Sequence, residues 1–160
     1  MEHVRLGRSG LMVSRLALGC MTFGDPAWRA WVLDAAGTRP IFEKALDLGI
    51  TFFDTANMYS KGMSEVVTGQ LLAGLPRSRF VLATKLHFSM GDGANERGQS
   101  RKHIFEAVDS SLKRLGMEYI DLLQIHRFDP ETPWEETLDA LDDVVRSGRV
   151  RYLGASSMDA

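Results

Sequence analysis

The sequence predicts an α/β fold of the (β/α)8, TIM-barrel type, of which it carries an opening hairpin and then five strands with four helices between them. Three observations predict it. Compact apolar runs alternate with amphipathic helical stretches, the order that produces a parallel sheet with right-handed crossovers. The runs are continuously apolar rather than alternating, as strands buried on both faces read. Polar and ionisable residues close strand after strand, which is how a barrel builds its site at the C-terminal face. The competing open, doubly wound sheet would carry G-x-G-x-x-G after its first strand. The sequence there is Gly19-Cys20-Met21-Thr22-Phe23-Gly24, so the barrel is favoured.

In order, a hairpin is expected over His3–Gly7 and Met12–Arg15, turning at Arg8-Ser9-Gly10. Strands follow at Leu16–Gly19, Thr51–Phe53, Phe80–Ala83, Ile120–Ile125 and Val150–Ala155. The first helix is placed from about Pro40 to Leu48, with Thr38 as cap and Gly49 as stop. The second starts near Ser64, with Glu65 at the positive end of the helix dipole, and stops at Gly74. The third begins at Ser100 and lines up Ile104, Val108, Leu112 and Leu115 on a core-facing stripe before Gly116. The fourth opens at Thr132-Pro133 and stripes Trp134, Leu138, Leu141 and Val145 before Gly148.

Composition excludes several function classes. A hydrophobic share of 44% with 25% charged residues is that of an ordinary globular domain. The net charge of −2, with signs interspersed, gives no field to attract nucleic acid or an anionic membrane. With Cys20 as the single cysteine, no disulfide forms within the chain and no multi-cysteine metal site is expected. No signal peptide or membrane span is read, and a cytoplasmic location is expected.

Asp54 follows the second strand run, Lys85 the third and His126 the fourth, and Tyr59 lies in the loop before the second helix. Singly, each has an ordinary reading: a turn or cap aspartate, a solvated lysine, a packing tyrosine, a structural histidine. Together they supply the groups that carbonyl reduction requires. A phenol is a poor acid near neutrality unless its anion is stabilised. An ammonium group stabilises phenolate, a carboxylate holds that ammonium charged and oriented, and an imidazole donates to the substrate oxygen. Phe23, Trp28 and Trp31 sit in the loop Cys20–Thr38, where they wall an apolar pocket or form a lid packed on the first helix. The glycine-bearing loop His87–Gln99 reads as a flexible connection, and Cys20 as packing.

Several stretches together resemble the aldo-keto reductase superfamily: Gly49–Tyr59, Gly62–Glu65, Ala83–Lys85, Ser110–Leu115, Asp121–His126 and Gly148–Ser156. The resemblance runs along essentially the whole chain. It implies the barrel, NADPH as hydride donor, aldehydes or ketones as substrates, and Tyr59 as proton donor supported by Lys85, Asp54 and His126. It further implies that Ser156 and Ser157 lie beneath the nicotinamide carboxamide, and that Asp54 and the backbone of Met21 and Thr22 lie near its ribose. The substrate pocket is expected at Trp28, Trp31 and His126. Two departures stand out: Ser157 where asparagine is common, and Ser60-Lys61 where glycine often follows the tyrosine.

A complete barrel takes about 250 residues, so residues 1–160 are read as one partial barrel domain. A truncated product or fragment, a half barrel that dimerises, and a chain cut short artificially all fit. Truncation is preferred because Ser156–Ala160 reads as the start of a further loop. The expectation is negligible turnover and weak NADPH binding for this chain alone, with self-association through open strand edges. Two rival functions remain: a Schiff-base barrel using Lys85, and a non-catalytic binding subunit on the same fold.

Overall fold

A computed structural model describes residues 1–158, so Asp159 and Ala160, the last two of the five residues read as opening a further loop, lie outside it. Two short strands, β1 (His3–Arg5) and β2 (Met12–Ser14), pair antiparallel as the opening hairpin. Then come β3 (Ala17–Gly19), α1 (Ala35–Asp47), β4 (Phe52–Asp54), α2 (Met63–Leu72), β5 (Val81–Leu86), α3 (Arg101–Leu115), β6 (Ile120–Ile125), α4 (Trp134–Arg146) and β7 (Val150–Ala155). The five later strands form one parallel sheet in the order β3-β4-β5-β6-β7. Each strand thus lies beside its predecessor with a crossover helix between them, the barrel order rather than the doubly wound one.

The pleat decides which side chains meet. Lys85 pairs with Gln124 and Gln124 with Gly154, so these three share one face of the sheet. Thr84, Leu123 and Leu153 share the other. Thr84 donates to Glu65 of α2 at 2.6 Å, so that second face is the one packed against the helices. The core lies there: Phe53, Leu82, Leu86 and Leu123 pack with Ile104 and Val108 of α3 and Val144 of α4. Leu123, at 2% exposure, is therefore covered by helices. One residue of phase separates the two faces, and Leu123 has the opposite parity to Lys85's partner Gln124.

Three helices differ in detail from the sequence reading. Helix α1 starts at Ala35, because the Asp34 side chain caps it by accepting from the Gly37 N–H at 2.8 Å. Thr38 is fully buried inside that helix, with its hydroxyl donating to the Asp34 carbonyl at 2.9 Å. Helix α2 is preceded by a short 3-10 turn, Tyr59–Gly62. On α4 the buried residues are Thr137, Ala140, Leu141 and Val144, while Trp134 and Leu138 are exposed. The buried stripe is thus rotated from the expected one, and Trp134 lies against Phe128 of the preceding loop, ring centroids 6.0 Å apart. Helix α3 follows expectation, capped by Ser100 and closed by Gly116 in the left-handed region at φ 66°.

Candidate active site

The three strand-end residues come together at the C-terminal edge of the sheet. Asp54 is the last residue of β4, Lys85 the penultimate residue of β5, and His126 follows β6 directly. The His126 N–H donates to the Leu86 carbonyl at 3.0 Å, which extends the ladder one residue past the strand. Lys85 is almost fully buried and its ammonium donates to Asp54 Oδ2 at 2.7 Å, to the Thr55 carbonyl at 2.9 Å and to Tyr59 Oη at 3.4 Å. Tyr59 also stands edge-on to His126, ring centroids 5.6 Å apart. All four predicted catalytic side chains thus converge.

The turn that presents Tyr59 is held from behind. Ser60 and Lys61 both sit in the left-handed region, at φ 52° and 51°, where glycine is the easier residue. Ser60 is kept there by its hydroxyl, which accepts from the Asp25 N–H at 2.8 Å. Ser64 donates to the Cys20 carbonyl at 2.6 Å and meets Thr55 Oγ1 at 2.8 Å, tying α2 to the ends of two strands. The Cys20 thiol is fully buried, and burial pushes it up to about 12, so it packs and does not react.

Burial first, and the Lys85 charge second, press the His126 imidazole down to about 4, against the opposing pull of Asp54. The ring is neutral at pH 7, so one nitrogen carries a hydrogen and the other a lone pair. Its Nδ1 is buried with no partner among the described residues.

Sequence reasoning missed Gln124, whose Nε2 donates to Asp54 Oδ1 at 2.9 Å. Gln124 and Lys85 thus hold one oxygen each of the same carboxylate. The available signal was a polar residue inside the apolar run of β6, two positions before His126 and on its face. Phe88 was missed as well. It stands edge-on to His126 with centroids 5.0 Å apart, and His87 stands against Phe88 at 5.1 Å.

None of the other predicted contacts hydrogen-bonds one of the four catalytic side chains among the described residues. Ser156 is tied beside His126, its N–H donating to the Ile125 carbonyl at 2.8 Å. The Ser156 and Ser157 hydroxyls lie 3.5 Å apart, and Ser157 has φ 51°. Met21 and Thr22 are exposed, the Thr22 carbonyl accepting from Leu33 N–H at 2.8 Å. Trp28 and Trp31 pack edge to face at 5.8 Å, with Trp31 exposed and Trp28 half-buried. Phe23, by contrast, is core.

Residues 15–160 match the model of the aldo/keto reductase family. The chain belongs to the aldo-keto reductase family. It is 50% identical, over its whole length and 52% of the relative's, to a versiconal hemiacetal acetate reductase of Aspergillus parasiticus. It is 45% identical to an aldo-keto reductase of Alternaria alternata, across 98% of this chain and 50% of that one. A putative voltage-gated potassium channel subunit beta of Schizosaccharomyces pombe is 42% identical over 97% of this chain and 45% of its own length. The chain therefore spans about half the length of these curated relatives. The family's (β/α)8 fold accounts for the five parallel strands with their intervening helices.

Proposed function

We propose that residues 1–160 form a single partial barrel domain of an NADPH-dependent reductase that converts aldehydes or ketones to alcohols. The observation that carries this reading is Lys85, which bridges the Asp54 carboxylate and the Tyr59 hydroxyl beside a neutral His126. A nicotinamide, when bound, would supply hydride to the carbonyl carbon. The carbonyl oxygen, as its bond to carbon loses π character, takes the proton from Tyr59 Oη. Lys85 stabilises the phenolate left behind. Asp54, held at both oxygens by Lys85 and Gln124, keeps that ammonium aimed. His126 donates its ring N–H to the carbonyl oxygen and orients it.

The residues present fit the nicotinamide end of the cofactor. Among the described residues the Ser156 and Ser157 hydroxyls bond only each other, at 3.5 Å, and hydroxyls so weakly held suit a carboxamide. Each Asp54 oxygen accepts one bond and retains a lone pair for a ribose hydroxyl. Met21 and Thr22 are exposed just after β3. Trp28 and Trp31 serve as the apolar pocket wall with His126. No residue among those described is a candidate for the adenosine end, so this chain alone is expected to bind NADPH weakly and turn over negligibly. A reducing, cytoplasmic setting suits its single cysteine.

The decisive measurement is NADPH oxidation with an aromatic aldehyde, using this chain fused to the C-terminal half of the versiconal hemiacetal acetate reductase. Tyr59→Phe is expected to lower kcat by about 10²-fold or more, the range for loss of a positioned acid. Unchanged kcat would reject the assignment of Tyr59. The Schiff-base reading is disfavoured by the 2.7 Å Lys85–Asp54 pair, since a nucleophilic lysine must be free of such a partner. Borohydride trapping of a carbonyl substrate on Lys85 would reinstate it. The channel-subunit relative keeps a binding role in view, and such a role predicts no turnover in the same fusion.

A further inference from the structure

Gln99 ends the loop that follows β5 and is fully buried. Its hydrogen bonds run to the segment that follows His126. The Gln99 N–H donates to Asp129 Oδ2 at 2.9 Å, and its side-chain Nε2 donates to the Arg127 carbonyl. Its own carbonyl accepts from Thr137 Oγ1 of α4 at 3.3 Å. Asp129 also accepts from the Glu131 N–H at 3.0 Å and from the Thr132 hydroxyl at 2.8 Å, so this segment folds around a carboxylate that Gln99 holds. The Arg127 carbonyl lies one residue past His126, whose own N–H makes the last bond to β5, at the Leu86 carbonyl. Beyond that bond, the Gln99 amide is the next restraint on the chain.

The same amide reaches His126 by a second route. Gln99 Nε2 lies 3.4 Å from His87 Nδ1, and the neighbouring Gly98 N–H donates to the His87 carbonyl at 2.7 Å. His87 stands against Phe88, and Phe88 stands edge-on to the His126 ring. Gln99 Oε1, by contrast, is buried with no partner among the described residues. A buried amide with one end unmatched costs more than an apolar side chain of the same length would. Packing alone therefore gives no reason for a glutamine here, and the bonded end of the amide has to account for it.

We propose that Gln99 is a positioning residue for His126, its amide holding the Arg127 carbonyl and through it the ring that orients the substrate carbonyl. The work of that ring rests on the reductase reading, whereas its placement by Gln99 does not. A shift of the peptide after His126 turns the Cα–Cβ bond of that residue and carries its ring away from Tyr59, which it meets at 5.6 Å between centroids. Being buried, Gln99 acts through His126 and not on the substrate itself. Displacing a positioned group by about 1 Å costs on the order of 10²-fold in rate, so one amide bond behind the imidazole has a large effect on its use.

Gln99→Met tests this, because it keeps the side-chain length and removes both amide atoms. Val144→Ala, a core truncation near the C-terminal end of α4, is the comparison for a general loss of stability. In NMR of the 160-residue chain, the parent should show NOEs from the His126 ring to the rings of Tyr59 and Phe88. Gln99→Met should displace the His126 ring resonances and weaken those NOEs, and Val144→Ala should leave both as in the parent. In the reductase fusion described above, Gln99→Met should lower kcat/KM for an aromatic aldehyde by about tenfold or more, and Val144→Ala by less than about twofold. A parent without these NOEs, a His126 ring unmoved by Gln99→Met, or equal changes in the two variants overturns the proposal. So does an unchanged kcat/KM for Gln99→Met in an active fusion. A fusion inactive in its parent form fails the reductase reading instead, and the ring signals then decide the placement of His126 by themselves.

Discussion

Lys85 touches three oxygens from two other segments, and nothing about a lysine near the end of an apolar run requires that. Its neighbours Asp54 and Tyr59 are recognisable because each ends a strand or opens the turn after one, where barrel chemistry collects. Gln124, Asn57 and His103 were not legible in this way. A glutamine inside a strand, an asparagine in a turn and a histidine on a helix are ordinary; only cross-strand register gives Gln124 its partner Asp54, and only packing shows Asn57 and His103 to be buried. His126 yields a pH prediction at this scale. Its folded value lies near 4, below the ordinary histidine value of 6.5, so the unfolded chain binds the extra proton first as pH falls. Stability attributable to this ring is complete above about 6.5, declines as pH falls, and is lost by about 4. Burial lowers His87 and His103 as well, adding to the same slope. Urea unfolding at pH 7 and pH 5 should show a smaller stability difference in His126→Gln than in the parent. An equal difference would count against the assignment.

Local signals placed the elements and missed their precise ends. Ser100, Gly116 and the Thr132-Pro133 opening marked two helices within a residue or two. Asp34 was overlooked because Thr38 and Pro40 offered a rival start, although a proline six residues into a helix removes little more than one early bond. Gly69 separates propensity from packing. By propensity alone, Gly69→Ala inside α2 should stabilise by about 1 kcal/mol. In the structure an added Cβ would fall 2.3 Å from the Leu115 carbonyl oxygen, at the end of α3. The expected result is therefore a loss of about 1–3 kcal/mol, the usual cost of overpacking, measurable by urea unfolding. A gain in stability would show that α2 and α3 separate at little cost.

At the scale of the molecule, the sheet has lateral edges at β3 and β7 among the described residues. Leu153, on β7, is 42% exposed and shares its face with the core residue Leu123. Exposed edges of this kind invite pairing with another chain. Leu153→Lys should shift the purified chain toward monomer in sedimentation velocity, and identical profiles would count against edge-mediated association. The sequence by itself determined the repeating strand–helix order, the barrel class and the family, because hydrophobic periodicity and turn residues act over a few neighbours. It also named the four residues at the mouth. Only the tertiary structure decided that Gln124 shares Asp54 with Lys85, that Leu123 faces helices, and that Asn57 and His103 are buried. Those outcomes depend on register between strands and on which helix face turns inward, which are set by contacts between residues tens of positions apart.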